Sequence, residues 1–232
     1  MQVVILAGGE GRRLRPLTND VPKPMVRVSG KPILEHTLSI LPREIDHAIL
    51  VVGYKKEKIQ EYFGNAFQGV RLTYVDQPHP LGTADALLRA RPYLSDELFL
   101  LLHADDFYHP DDLSEVIGVR PCIMVKEASH PERFGVCLLN EDGTLADILE
   151  KMEHPPTNLV NIGIYCLEKS LCDIEPLTLP NGELNLAGQI GTWAKQRPVD
   201  VKRARFWHPI GYPEDIHDAE VYLSLPIQER FN

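Results

Sequence analysis

Along the first half of the chain, short unbroken apolar runs alternate with stretches whose apolar residues recur at helical spacing. The run Gln2–Leu6 breaks off at Ala7-Gly8-Gly9-Glu10-Gly11, as a buried strand entering a loop does. After Pro32, the residues Ile33, Leu34, Thr37, Leu38 and Leu41 share one face, which predicts an amphipathic helix with proline in its first turn. Asp46–Val52 reads as a buried strand closed by Gly53. The alternation continues with a helix over Lys56–Phe63, a strand over Val70–Val75, a helix over Thr83–Arg91 and a strand over Leu98–Leu102, which ends at His103-Ala104-Asp105-Asp106. This order predicts parallel pairing through right-handed crossovers, with helices on both faces of the sheet. Ligands of such sheets bind beyond the carboxyl ends of the strands, where the glycine loop and Asp105-Asp106 both fall.

Past residue 120 the runs shorten to Cys122–Lys126, Gly135–Leu139, Ala146–Lys151 and Leu159–Cys166, separated by turns such as Glu141-Asp142-Gly143. Mixed or antiparallel strands added to the same sheet are expected. Helices over Leu186–Lys195 and Glu214–Leu225 bracket a strand over Val199–Ala204. With no repeat, low-complexity tract or linker, the 232 residues suit one domain over 1–232. The expected fold is a single-domain, Rossmann-like three-layer α/β/α architecture with a mixed, mostly parallel central sheet.

A composition of 44% hydrophobic and 25% charged residues excludes a disordered chain. The 24 basic against 33 acidic residues leave a net charge of −9, the wrong sign for a nucleic-acid partner, although a local basic cluster can still bind phosphate. The four cysteines, Cys122, Cys137, Cys166 and Cys172, show no CxxC spacing and read as reduced core thiols. No basic leader precedes an apolar stretch, and no run nears the roughly 18 apolar residues of a membrane span. A cytoplasmic protein with no membrane partner is expected.

The segment Leu6–Pro24 carries Gly8, Gly9 and Gly11, three arginines and Lys23 directly after the first strand. Glycine lets backbone N–H groups turn inward, and guanidinium forks onto phosphate oxygens, so the segment suits oxyanions. It matches neither GxxxxGK[ST] nor GxGxxG, so neither an ordinary P-loop nor a hydride-transfer enzyme is indicated. Glycines alone would read sooner as a strand-to-loop turn with solvated arginines; Arg12 and Arg15 are left as surface charges.

Taken whole, Leu6–His36 (LAGGEGRRLRPLTNDVPKPMVRVSGKPILEH) resembles the N-terminal signature of the sugar-1-phosphate nucleotidylyltransferases. The resemblance continues at Gln77–Ala86 (QPHPLGTADA), His103–Asp106, Phe134-Gly135-Val136, Glu150-Lys151 and Asn161–Tyr165, and is nearest to the glucose-1-phosphate thymidylyltransferases. It implies in-line attack of a sugar 1-phosphate on the α-phosphorus of a nucleoside triphosphate, with Mg²⁺ shielding the charge. Such catalysis is positioning and neutralisation, so no Ser-His-Asp set is needed.

By the same resemblance, Leu6, Gly8, Gly9, Gly11, Gln77, Gly82 and Thr83 bind the nucleotide. Arg13 and Lys23 are the catalytic candidates, holding the β/γ-phosphates and the α-phosphate respectively, and Asp105 is the metal ligand. Gly135, Glu150, Lys151 and Asn161 take the sugar phosphate. The Gln77 amide is expected to pair with uracil or thymine through both its donor and its acceptor, which favours a pyrimidine nucleotide over GTP. Trp207-His208-Pro209-Ile210-Gly211 departs from the family's Trp-x-Asp-x-Gly, whose Asp is the second metal ligand. Pro209 cannot ligate, which leaves Asp105, phosphate oxygens and water to hold Mg²⁺. His208 is expected to pack or hydrogen-bond, Asp106 to cap its loop or hold a metal-bound water, and Trp207 to border the sugar pocket.

The expected reaction joins glucose 1-phosphate to UTP or dTTP. Alternatives are a mannose-1-phosphate guanylyltransferase, an aminosugar or muramic-acid uridylyltransferase and, because of Pro209, a non-catalytic nucleotide-sugar sensor. The length leaves no room for an added β-helix acyltransferase domain, and the choice between monomer and homo-oligomer is open.

Overall fold

A computed structural model describes residues 1–118, 120–150 and 152–225. Its main sheet has ten strands. β1 (Gln2–Ala7), β2 (His47–Val52), β3 (Val70–Asp76) and β4 (Leu98–His103) run parallel in the spatial order β3-β2-β1-β4. Alternate residues of these strands feed two separate cores. Val4, Ile49, Val51 and Leu101 pack under α3 (Thr83–Ala90) and α5 (Leu186–Ala194). Val3, Ile5, Leu50 and Leu100 pack under α1 (Ile33–Ser39), α2 (Lys56–Phe63) and α4 (Pro110–Val116). Burial on both faces is why the strands read as unbroken apolar runs, and it makes the three layers that the alternation predicts.

The second half of the chain extends the sheet with antiparallel pairings, as the shorter runs predict. β9 (Leu159–Glu168) lies antiparallel to β4, and β7 (Gly135–Leu139) and β8 (Leu145–Glu150) follow beyond it. β6 (Cys122–Glu127) pairs antiparallel with β9 and parallel with β10 (Asp200–Arg203). β9 breaks register between Asn161 and Tyr165, around Gly163 at φ +79°, where a Cβ would stand 2.7 Å from the His103 ring. Glycine is required for that close approach.

The predicted helices and main-sheet strands are present, most with ends shifted by a residue or two; Lys151, the end of the predicted strand Ala146–Lys151, lies outside the described residues. Among the elements not foreseen are α4 and the antiparallel pair β5 (Asp106–Tyr108) and β11 (Trp207–Pro209), which face each other in register Asp106 to Pro209. Three-residue strands are too short to show a period. α6 (Pro213–Ser224) closes the described chain. All four cysteines are buried and unpaired, and Trp193 is a buried anchor. Among the described residues no helix is long and apolar enough to cross a membrane.

Candidate active site

β1 leads to β2 on one side while β4 lies on the other, so a crevice opens beyond their carboxyl ends. A cleft of about 480 Å³ occupies it. Leu6, Gly8, Gly9, Gln77, Gly82 and Thr83 line it, and so do Arg13, Lys23, Asp105, Gly135, Glu150 and Asn161. Lys151 lies outside the described residues. Gly11 does not line the cleft. At φ +65° it starts the turn Arg12–Leu14, its carbonyl accepts from Thr18 Oγ1 at 2.9 Å, and a Cβ there would meet the Lys23 stem at 2.8 Å. Its contribution is to seat Lys23.

Lys23 Nζ donates to Asp105 Oδ2 at 2.7 Å. Burial pushes the Asp105 carboxyl up, but the nearby charges of Lys23 and His103 outweigh it and hold the group below the ordinary range. Asp106 goes the other way, pushed up to about 7 by burial and by Asp105 beside it. Its oxygens accept from Trp207 Nε1 at 2.9 Å and from the Ile210 N–H at 3.2 Å. Asp106 therefore fastens the Trp207–Ile210 segment across the cleft and does the holding that a loop cap would.

A protein-held divalent ion would need several carboxylates, and among the described residues no group of three or more His, Cys, Asp or Glu side chains gathers to supply them. Pro209 stands opposite Asp106, both Asp106 oxygens are engaged, and Asp105 Oδ2 is taken by Lys23. Asp105 is thus the only carboxylate of this pair with an oxygen not engaged by another described residue. The donors fit an ion carried mainly by phosphate oxygens and water, as Mg²⁺ tolerates. His208 hydrogen-bonds, as expected: its Nε2 lies 2.8 Å from the Asp215 carbonyl.

Arg13 and Arg133 both set a guanidinium over the Tyr212 ring, 5.0 and 5.7 Å from its centroid. Arg13 Nη1 also reaches the Tyr212 hydroxyl at 3.4 Å. All three line the cleft, and neither arginine has a carboxylate partner among the described residues. Arg133 and Tyr212 escape the sequence reading, although each directly neighbours a motif residue, Phe134 and Gly211. Arg12 pairs with Glu10 at 2.7 Å on the surface, as expected of a solvated charge.

Gln77 departs from its expected double pairing. Its Nε2 donates to the Gly82 carbonyl and to Asp85 Oδ2, each at 2.9 Å, so the amide offers the cleft its oxygen alone. An acceptor suits the N3–H of uracil or thymine but equally the N1–H of guanine, so this amide does not by itself count against GTP. Gly82, at φ +105°, passes so close to Leu184 that a Cβ would collide with its backbone at 2.4 Å. Thr83 Oγ1 accepts from the Leu186 N–H at 3.1 Å and ties α5 to this wall. On the opposite half of the sheet Asn161 is oriented by bonds to the Tyr165 hydroxyl at 2.6 Å and the Gly163 N–H at 3.1 Å. Trp207 stacks edge-on against Phe134, bordering the cleft as expected.

A nucleotidyl transferase family profile matches residues 2–224. The bifunctional protein GlmU of Methanocaldococcus jannaschii is 38% identical over 226 residues, which are 96% of this chain and 54% of that protein. The UTP–glucose-1-phosphate uridylyltransferase AglF of Haloferax volcanii is 37% identical over 97% of both chains. The chain thus spans about half the length of its GlmU relatives and nearly all of AglF. Two solved structures share the fold: a putative glucose-1-phosphate thymidylyltransferase of Bacillus anthracis (TM-score 0.85, 22% identity, 100% and 99% of the two chains) and a UDP-glucose pyrophosphorylase complexed with UDP-glucose (0.82, 22%, 96% and 97%). With the profile matched along almost the whole sequence, the chain belongs to the nucleotidyl transferase family.

Proposed function

We propose that residues 1–232 act as one domain that transfers the nucleotidyl group of UTP or dTTP to a sugar 1-phosphate, glucose 1-phosphate foremost, releasing pyrophosphate. The observation that carries this reading is the gathering, in one cleft, of Arg13 and Lys23 with the Gln77 amide, Glu150 and Asn161. The likeness to AglF along nearly its full length supports UTP and glucose 1-phosphate as the first pair to test.

In the transfer, a phosphate oxygen of the sugar 1-phosphate bonds to the α-phosphorus while the bond from that phosphorus to its bridging oxygen breaks. Pyrophosphate departs with the electron pair, and no proton moves to or from the nucleophile. Lys23 neutralises charge at the α-phosphate, and Arg13, steadied on Tyr212, holds the departing β/γ-phosphates, with Arg133 adding a second guanidinium there. Asp105 would hold Mg²⁺, which when bound shields the phosphate charge. Glu150 and Asn161 orient the sugar through its hydroxyls, and the Gly135 N–H adds a donor.

The test is to mix UTP, dTTP, CTP, GTP or ATP with glucose, mannose or N-acetylglucosamine 1-phosphate and measure pyrophosphate release, with and without Mg²⁺. Mg²⁺-dependent release from a pyrimidine nucleotide and glucose 1-phosphate is expected. Release only from GTP with mannose 1-phosphate would replace the substrate assignment. No release from any pair, with calorimetric binding of a nucleotide sugar, would overturn catalysis in favour of the sensor that Pro209 brings to mind.

A further inference from the structure

The two partners of Gln77 Nε2 can only accept. The Gly82 carbonyl carries no proton, and Asp85 Oδ2, besides receiving Gln77, receives Arg89 Nε at 2.7 Å. A guanidinium cannot accept, so that carboxylate oxygen has no proton to offer the amide. Hydrogen-bond chemistry therefore fixes which way the amide faces: both N–H bonds are spent inward. Oε1 lies over Gly8, where a Cβ would come within 2.8 Å of it, and no described residue donates to it. Asp85 and Arg89 sit one turn apart on α3, whose Ala84, Ala86 and Leu87 are buried against the sheet, so the pair rides on a rigid element. Asp85 itself does not line the cleft.

We propose that Asp85, braced by Arg89, is a positioning residue that sets nucleobase specificity by locking the Gln77 amide as an acceptor. Among the pyrimidines, the pocket then takes uracil or thymine, which carry an N–H at the edge Gln77 faces, and turns away cytosine, whose N3 lone pair would meet Oε1 acceptor to acceptor. This rests on the reading that Gln77 faces the base. Without Asp85 the amide keeps only the Gly82 carbonyl, and turning its NH₂ outward to suit cytosine sacrifices one hydrogen bond instead of two. Losing one such bond corresponds to about tenfold in selectivity.

Calorimetric dissociation constants for UTP and CTP test the lock without relying on turnover. Wild-type protein is expected to favour UTP. Asp85→Ala should lower the UTP-to-CTP preference about tenfold, while Asp85→Asn, which keeps an oxygen facing Nε2, should hold it within about threefold. Asp85→Ser, too short to reach Nε2, replaces Asp85→Ala if that variant does not fold. If both nucleotides weaken equally in Asp85→Ala, Asp85 is structural and the lock is refuted, whereas Gln77→Ala in that case still abolishes the preference. If Gln77→Ala leaves the preference intact, base reading by Gln77 fails and the lock with it.

Discussion

Arg13 and Arg133, 120 positions apart in the chain, meet over Tyr212, whose ring face attracts a cation by about 0.5–1 kcal/mol at an exposed site. That anchoring orients two guanidiniums that no described carboxylate neutralises, which is what a triphosphate needs. Arg133→Ala should raise the KM for UTP about tenfold, with a smaller loss in kcat and an unchanged melting temperature, because the side chain is exposed and lines the cleft instead of packing in the core. Steady-state kinetics beside a thermal melt checks this; an unchanged KM would remove Arg133 from the phosphate site. At this scale the sequence was most legible where a motif is local. Arg13, Lys23, Gln77 and Asp105 stand in compact motifs whose resemblance marks them, and the structure brings all four to one cleft. Tyr212 and Asp85 carry no such mark, since Tyr212 meets Arg13 across 199 positions and Asp85 acts only through another side chain.

Short elements decide how the cleft is closed. The β5–β11 pair sets Pro209 against Asp106, and Asp106 holds the Trp207–Ile210 segment by two hydrogen bonds. Restoring a carboxylate with Pro209→Asp should let the nucleotide-free protein bind Mn²⁺ at least about tenfold more tightly than wild type, as added ligand charge does. Electron paramagnetic titration of free Mn²⁺ reads the change, and equal affinity would show that position 209 does not face the metal. Gly163, at the register break of β9, gives a second test. Gly163→Ala would force a side chain into φ +79° and against the His103 ring, costing about 2 kcal/mol or more of stability by urea unfolding. These elements were the illegible part of the fold, because three residues carry no period and a bulge leaves no mark beyond one glycine.

Across the whole molecule, the parallel half of the sheet was readable because burial on both faces writes continuous apolar runs, whereas the pairing order of β6, β9 and β10 depends on contacts far apart in sequence. The three parallel strands β1, β2 and β3 share one polar seam centred on the buried Gln2 and His47. Gln2 Nε2 and Arg71 Nη2 both stand 3.0 Å from His47 Nδ1, and His47 Nε2 lies 2.9 Å from Thr73 Oγ1. Two donors aimed at Nδ1 require a neutral ring, and burial with the Arg71 charge lowers the His47 pKa. The unfolded chain therefore binds more protons than the native one as pH falls below about 6.5, the ordinary histidine value, and stability falls with it. Urea unfolding at pH 7.5 and 5.5 should show that fall, and His47→Gln should show a smaller one. Equal falls would mean that His47 is not a source of the acid sensitivity.

On the function proposed above, nucleotidyl transfer takes place in this cleft by neutralising phosphate charge. The most direct test is the kcat of Lys23→Ala for pyrophosphate release from UTP and glucose 1-phosphate at saturating Mg²⁺. Lys23 joins Asp105 at 2.7 Å on the floor of the cleft, and removing a cation that meets charge developing in the transition state should lower kcat by about a hundredfold or more. A loss of tenfold or less, in a variant that still binds UTP and melts as wild type does, would contradict the claim and place the chemistry elsewhere.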